Sequence, residues 1–175
     1  MRKLLMTSLL VGGAALVAAQ APAQAPAPAA PAAVPEQMPF DIPYGPSITL
    51  ERAMQAAAAA AAEAKKHNWK LAISVVDPNG DLVFFQKMDG TQVASVAISQ
   101  GKARTAARYR RETRTFFNAM ETGHPYIATL DPTLVASPGG FPLMDGGKLI
   151  GAIGCSGGTG DQDAVACKAG SAAFM

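Results

Sequence analysis

The stretch from Gly139 to Gly158 limits the fold more than any other part of this chain. It reads Gly139-Gly140-Phe141-Pro142-Leu143, a turn at Asp145-Gly146-Gly147, then Leu149-Ile150-Gly151-Ala152-Ile153-Gly154-Cys155-Ser156-Gly157-Gly158. An apolar strand rich in small residues runs into a glycine loop, and Thr159-Gly160-Asp161-Gln162 opens a helix. Without a Cβ in the way, glycine at this density lets a backbone, a helix or a ligand come close.

The remaining elements read as a single α+β domain over residues 47–175. Thr49 is a good N-cap for a helix over 50–66, whose centre is almost pure alanine and whose end carries Lys65, Lys66 and His67. Strands over 70–77 and 81–88 flank Asp77-Pro78-Asn79-Gly80, a strong turn sequence. Helices follow over 93–109 and 112–122, then an irregular stretch over 123–141. A second hairpin over 141–156 and a helix over 161–173 complete the domain. Thr159 with Gln162 reads as a capping box. Hairpins in place of crossovers predict an antiparallel sheet of about four to five strands with flanking helices.

The first residues read as an export signal: Arg2 and Lys3, an apolar stretch over 4–17, and small residues Val17-Ala18-Ala19 before a cut. That stretch is shorter than the roughly 20 apolar residues of a membrane span. Residues 20–46 hold eight of the 13 prolines (Pro22, Pro26, Pro28, Pro31, Pro35, Pro39, Pro43 and Pro46) among alanines, the composition of an extended linker. The expected organisation is a signal peptide over 1–19, a linker over 20–46 and the domain over 47–175, in a periplasmic or secreted protein. The full chain carries +2, and losing Arg2 and Lys3 leaves it neutral. A neutral domain gives no electrostatic case for nucleic acid or an anionic membrane.

Two cysteines in an oxidising compartment invite a bridge between Cys155 and Cys167, provided the last helix folds back on its own strand; two small buried thiols are the alternative. Gly154-Cys155-Ser156-Gly157-Gly158 satisfies G-x-S-x-G, but no histidine follows it, so a serine hydrolase is excluded. Asp77 and Asp89 sit at turns that already account for them. Lys102, Arg104, Arg108, Arg110, Arg111 and Arg114 place six cations in 13 residues beside one acid, Glu112. On a helix 104, 108 and 111 share a face, either a wet surface, an oligomer contact, or a grip for carboxylates. His124 lies in the loop Thr122-Gly123-His124-Pro125-Tyr126 and is the candidate axial ligand for a haem iron, with Tyr109 and Tyr126 as oxygen alternatives.

Together the alanine-rich helix, Val75-Val76-Asp77-Pro78-Asn79-Gly80, Met88-Asp89-Gly90, Lys102-Ala103-Arg104-Thr105-Ala106, Gly139-Gly140-Phe141-Pro142-Leu143, Gly151-Ala152-Ile153-Gly154, Ser156-Gly157-Gly158, Gln162-Asp163 and Ala169-Gly170 resemble the GlcG/HbpS-like family of haem-degrading domains. The resemblance spans nearly all of 47–175. It implies a profilin-like layout, homo-oligomers and, for some members, haem binding and degradation. Cys155 stands where the family usually has valine, and Cys167 is a second departure. The resulting expectation is a secreted haem-binding protein. Haem would be its cofactor, His124 the metal ligand, and Lys102, Arg104, Arg108, Gly139 and Gly140 the residues around it. The rival is a non-enzymatic oligomeric scaffold or sensor accessory that binds a small organic acid.

Overall fold

The computed structural model describes residues 36–38 and 41–173. The expected signal peptide and most of the expected linker lie outside the described residues. Everything below concerns the compact unit over 37–175.

Helix α1 (Leu50–Lys66) starts where Thr49 accepts the Arg52 N–H at 3.4 Å. It buries Ala53, Ala56, Ala57, Ala60, Ala61 and Ala64, the three-and-four spacing of one helix face. Strands β1 (Ala72–Val76) and β2 (Leu82–Lys87) pair antiparallel. The Asp77 carboxylate closes their turn by accepting the Asn79 and Asp81 N–H groups at 2.9 and 3.0 Å. Helix α2 (Ser95–Tyr109), helix α3 (Arg114–Glu121) and a 3-10 helix (Pro125–Thr129) follow. Then come β3 (Gly140–Asp145), β4 (Lys148–Ser156) and α4 (Gly160–Ala172), the last opened by a complete Thr159–Gln162 capping box. The sheet order is β2-β1-β4-β3, antiparallel throughout.

Alternation along the central strands divides the core. Ile73, Val75, Ile153 and Cys155 pack with the alanines of α1 and with Ala166 and Cys167 of α4. Val76 and Ala152 face the other way, onto Ala103, Ala106 and Ala107 of α2. Helix α4 does fold back on β4: Cys155 and Cys167 form a disulfide with Cα atoms 5.6 Å apart.

The glycines of β3 and β4 receive protein. A Cβ on Gly154 would overlap the Ser99 carbonyl oxygen and lie 2.5 Å from the Ala103 nitrogen, and one on Gly140 would lie 2.5 Å from the Lys102 carbonyl oxygen. Glycine thus lets the backbone of α2 rest on the sheet. Polar pairs tie that contact: Ser74 Oγ to Ser99 Oγ at 2.8 Å, and Ser156 Oγ to Ser95 Oγ at 3.1 Å.

Residues 42–46, read from sequence as the end of a solvated spacer, are bound to the domain. Strand β1 ends at Val76 opposite Ala152, which leaves the preceding flank of β4 open. The incoming chain fills it. Leu149 N–H donates to the Pro43 carbonyl at 2.9 Å, Gly45 N–H to Leu149 at 2.7 Å and Ile48 N–H to Ile150 at 2.8 Å. Among the described residues no helix is long and apolar enough to cross a membrane.

Candidate functional site

The C-terminal end of α2 gathers Arg104, Arg108 and Arg110 from the cationic run. Arg110 adopts a left-handed conformation (φ 56°) and stops the helix. Its guanidinium donates to the Ile42 carbonyl at 2.7 Å and sits 5.2 Å from the Tyr44 ring centre. Tyr44 in turn donates its hydroxyl proton to the Arg108 carbonyl at 2.9 Å. Arg108 Nε donates to the Asn79 carbonyl at 3.1 Å. Its Nη1 lies 3.5 Å from Thr133 Oγ1 and 3.7 Å from an Asp131 carboxylate oxygen. Gly80 (φ 94°) completes the arrangement, because its missing Cβ would stand 2.8 Å from Arg104 Cγ.

These contacts enclose an open cavity of about 530 Å³ lined by Tyr44, Gly45, Ser47, Pro78, Asn79 and Arg108, within the size range of small-ligand pockets. Two flat apolar surfaces, the tyrosine ring and the proline, stand beside one guanidinium fork and the polar side chains of Ser47 and Asn79. Asp131 partly balances the cations. Hydrogen bonds from Thr133 side chain and backbone hold its carboxyl below the usual range; burial opposes this, and Arg108 and Arg104 lower it further.

Arg104 and Arg108 are therefore brought together at the β1–β2 turn. Arg111 does not join them. The chain has left the helix before it, and its guanidinium packs over Phe116 (4.7 Å) and Tyr109 (5.9 Å), where burial lowers its pKa. Arg114 turns to Asp161 at 2.7 Å and Glu112 at 3.4 Å.

Lys102, expected among the ligand-holding cations, is a correction. It is 1% exposed, and its Nζ donates to Asp163 Oδ2 at 2.7 Å, tying α2 to α4. Burial lowers the lysine pKa while Asp163 opposes that shift. Gly139 and Gly140 belong to the same knot. A Cβ on Gly139 would lie 2.8 Å from Asp163 Cβ and 3.2 Å from Lys102 Nζ, and Gly140 N–H donates to Thr113 Oγ1 at 2.9 Å. Protein atoms fill the space that a Cβ on either glycine would take.

His124 caps the 3-10 helix Pro125–Thr129, with its N–H on the Ala119 carbonyl at 3.0 Å. The ring is exposed and edge-on to Tyr126 at 6.1 Å. Neighbouring elements expose Phe117, Tyr126 and Leu130. None of its hydrogen bonds or ring contacts reaches Arg104 or Arg108. The link is through the chain: Asp131 and Thr133, just past the 3-10 helix, are the residues Arg108 meets. Sequence reading missed Tyr44 and Asp131. A tyrosine in a proline-rich stretch, and an aspartate two residues before a threonine, were the only local signals of either.

The family profile described as "Haem degrading protein HbpS-like" matches residues 48–172. Protein GlcG of Escherichia coli strain K12 is 41% identical over 99 residues, 57% of this chain and 73% of that protein. Among solved structures, HbpS is 27% identical with a TM-score of 0.69, covering 79% of this chain and 98% of that one. A PduOC–haem complex is 25% identical with a TM-score of 0.68, covering 73% and 95%. With the profile spanning the folded domain from the start of α1 to the end of α4, this chain belongs to the HbpS-like family.

Proposed function

We propose that this chain is an exported haem-binding protein that supports oxidative haem degradation. The observation that carries the reading is Arg108, half-exposed in a cavity beside Arg104 and meeting Asp131 and Thr133, just past the 3-10 helix that His124 caps. The residues present fit such a group. His124 offers an exposed imidazole, the usual axial ligand type for haem iron, on a segment with apolar Phe117, Tyr126 and Leu130 uncovered. Arg104 and Arg108 offer forks for its carboxylates. Bound haem would supply the redox chemistry, with peroxide as oxidant. The protein's part is to hold the carboxylates, present the imidazole and keep the apolar face from water. The PduOC–haem complex among its structural neighbours supports the reading. The Cys155–Cys167 disulfide supports a periplasmic or secreted location, because such bonds persist in oxidising compartments.

Titrating haem while reading the Soret band tests this. Wild-type protein should shift and sharpen the band, His124→Ala should change the ligation spectrum, and Arg108→Ala should weaken binding. A His124→Ala spectrum identical to wild type removes that ligand, and no Soret change in wild type removes haem.

The Arg108 cavity also favours a second reading, a non-enzymatic accessory that binds a small organic acid, because its volume and polar lining suit a small carboxylate. That reading predicts thermal stabilisation by carboxylates, lost in Arg104→Ala and Arg108→Ala, with no Soret shift.

A further inference from the structure

The run Lys87-Met88-Asp89-Gly90 leaves the end of β2 and has no part in the site described above. Backbone contacts fix its turn. Met88 N–H donates to the Leu71 carbonyl at 3.0 Å, and the Met88 carbonyl accepts the Thr91 hydroxyl at 2.7 Å. A second fixed corner lies just past α1, where Asn68 is left-handed (φ 57°), a conformation that asparagine tolerates. Its N–H donates to the Lys65 carbonyl at 3.1 Å, and its side-chain oxygen accepts from the Lys70 ammonium at 2.9 Å. Between the two corners is an open pocket of about 350 Å³ lined by Lys65, Lys70, Gln86, Lys87, Met88 and Asp89.

We propose that this pocket binds the dianion of a phosphate monoester. Its charges are out of balance. Among the described residues none of Lys65, Lys70, Lys87 and Asp89 makes an ion pair, whereas the neighbouring Lys66 is held by Glu63 at 2.6 Å. Three ammonium groups against one carboxylate leave two positive charges uncompensated, and a phosphate monoester carries close to two negative ones at neutral pH. A concave surface lined by one sign of charge concentrates ions of the other.

Geometry selects the phosphate. The three lysines come from α1, from the connection into β1 and from β2. Each is a compact charge with three N–H donors, so together they meet a tetrahedral oxyanion from three sides. A flat, singly charged carboxylate is better served by a guanidinium fork such as Arg108. The Gln86 amide adds a donor, and Met88 offers the ester's carbon skeleton an apolar contact. The full chain carries only +2, so the excess is local and suits a small ligand rather than an extended polyanion. The pocket lies by the Ala72–Lys87 end of the β1–β2 hairpin, and the Arg108 cavity lies beyond the Val76–Leu82 end. The proposal therefore stands apart from the haem reading.

Amide NMR on the full chain without haem tests it, with glycerol 3-phosphate titrated against sodium chloride at matched ionic strength. The Asn68, Lys87 and Gly90 amides should shift together and saturate with the ester, and hardly move with chloride. Lys65→Gln, Lys70→Gln and Lys87→Gln should each weaken binding about threefold, and Asp89→Asn should tighten it by a similar factor. Arg108→Ala should bind as wild type does. Vesicles of phosphatidylcholine with phosphatidate present the same group on a lipid, and the soluble ester should bind without them. Equal shifts with chloride overturn the proposal, as does an affinity unchanged in all three lysine variants. Binding lost in Arg108→Ala, or retention on the vesicles with no response to the soluble ester, overturns it too.

Discussion

Lys102 Nζ and Asp163 Oδ2 lie 2.7 Å apart with their side chains 2% and 3% exposed, an ion pair sealed between α2 and α4. Asp163 is doubly engaged, since its other oxygen accepts the Gly158 N–H at 3.0 Å. Such a pair contributes little relative to apolar packing, but removing one partner strands the other charge away from water.

Lys102→Met should therefore lower stability by about 3–5 kcal/mol, read as a shift in the urea midpoint. Asp163→Asn, which keeps an oxygen for Gly158 but leaves Lys102 uncompensated, should fall in the same range. Pairing Lys102→Met with Asp163→Asn should recover a large part of either loss. Two costs that simply add would show that the ion pair is not the source.

The disulfide closes a short loop, 12 residues from Cys155 to Cys167. Chain-entropy estimates for loops of that size give about 3 kcal/mol. Replacing both cysteines with alanine should cost that much in equilibrium unfolding under oxidising conditions. Under a strong reductant, wild type should approach the variant. A midpoint unmoved by reductant would contradict this.

Asp131 provides a pH-dependent tether. Its folded pKa lies below the usual carboxylate range, chiefly through the Thr133 hydrogen bonds, with Arg108 and Arg104 adding to the shift. The sign follows. Its contribution is complete above the ordinary aspartate value and is lost as pH falls through the depressed folded one. The Thr133 amide, bonded to Asp131 at 2.8 Å, should report that midpoint by NMR below the range of free aspartate. Arg108→Ala should move it upward. A midpoint at or above the ordinary value would be the contrary result.

What could be read in advance was local. Thr49 as a cap, the alanine face of α1, the Asp77 turn and the Thr159–Gln162 box each depend on residues within a few positions, and all are present as read. The order of helices and hairpins followed from them. What escaped depends on distance along the chain. Asp163 reads locally as a complement to the positive end of α4, and nothing near it announces a lysine 61 residues away. Glycine at 140 and 154 permits a helix or a ligand equally, and only tertiary packing selects the helix. Arg111 was placed on the face of 104 and 108 because Arg110 carries no glycine or asparagine signal for a left-handed stop.

Residues 42–46 bear on where the folded body starts. Family resemblance begins at residue 48, yet a version cut there would strip the partners from both backbone groups of Leu149 and from the Arg110 guanidinium. It would also remove the tyrosine wall of the Arg108 cavity. A shortened protein meant for crystallisation or ligand screening therefore has to begin upstream of Ile42, and one that begins at α1 would lack both those hydrogen bonds and one wall of the cavity.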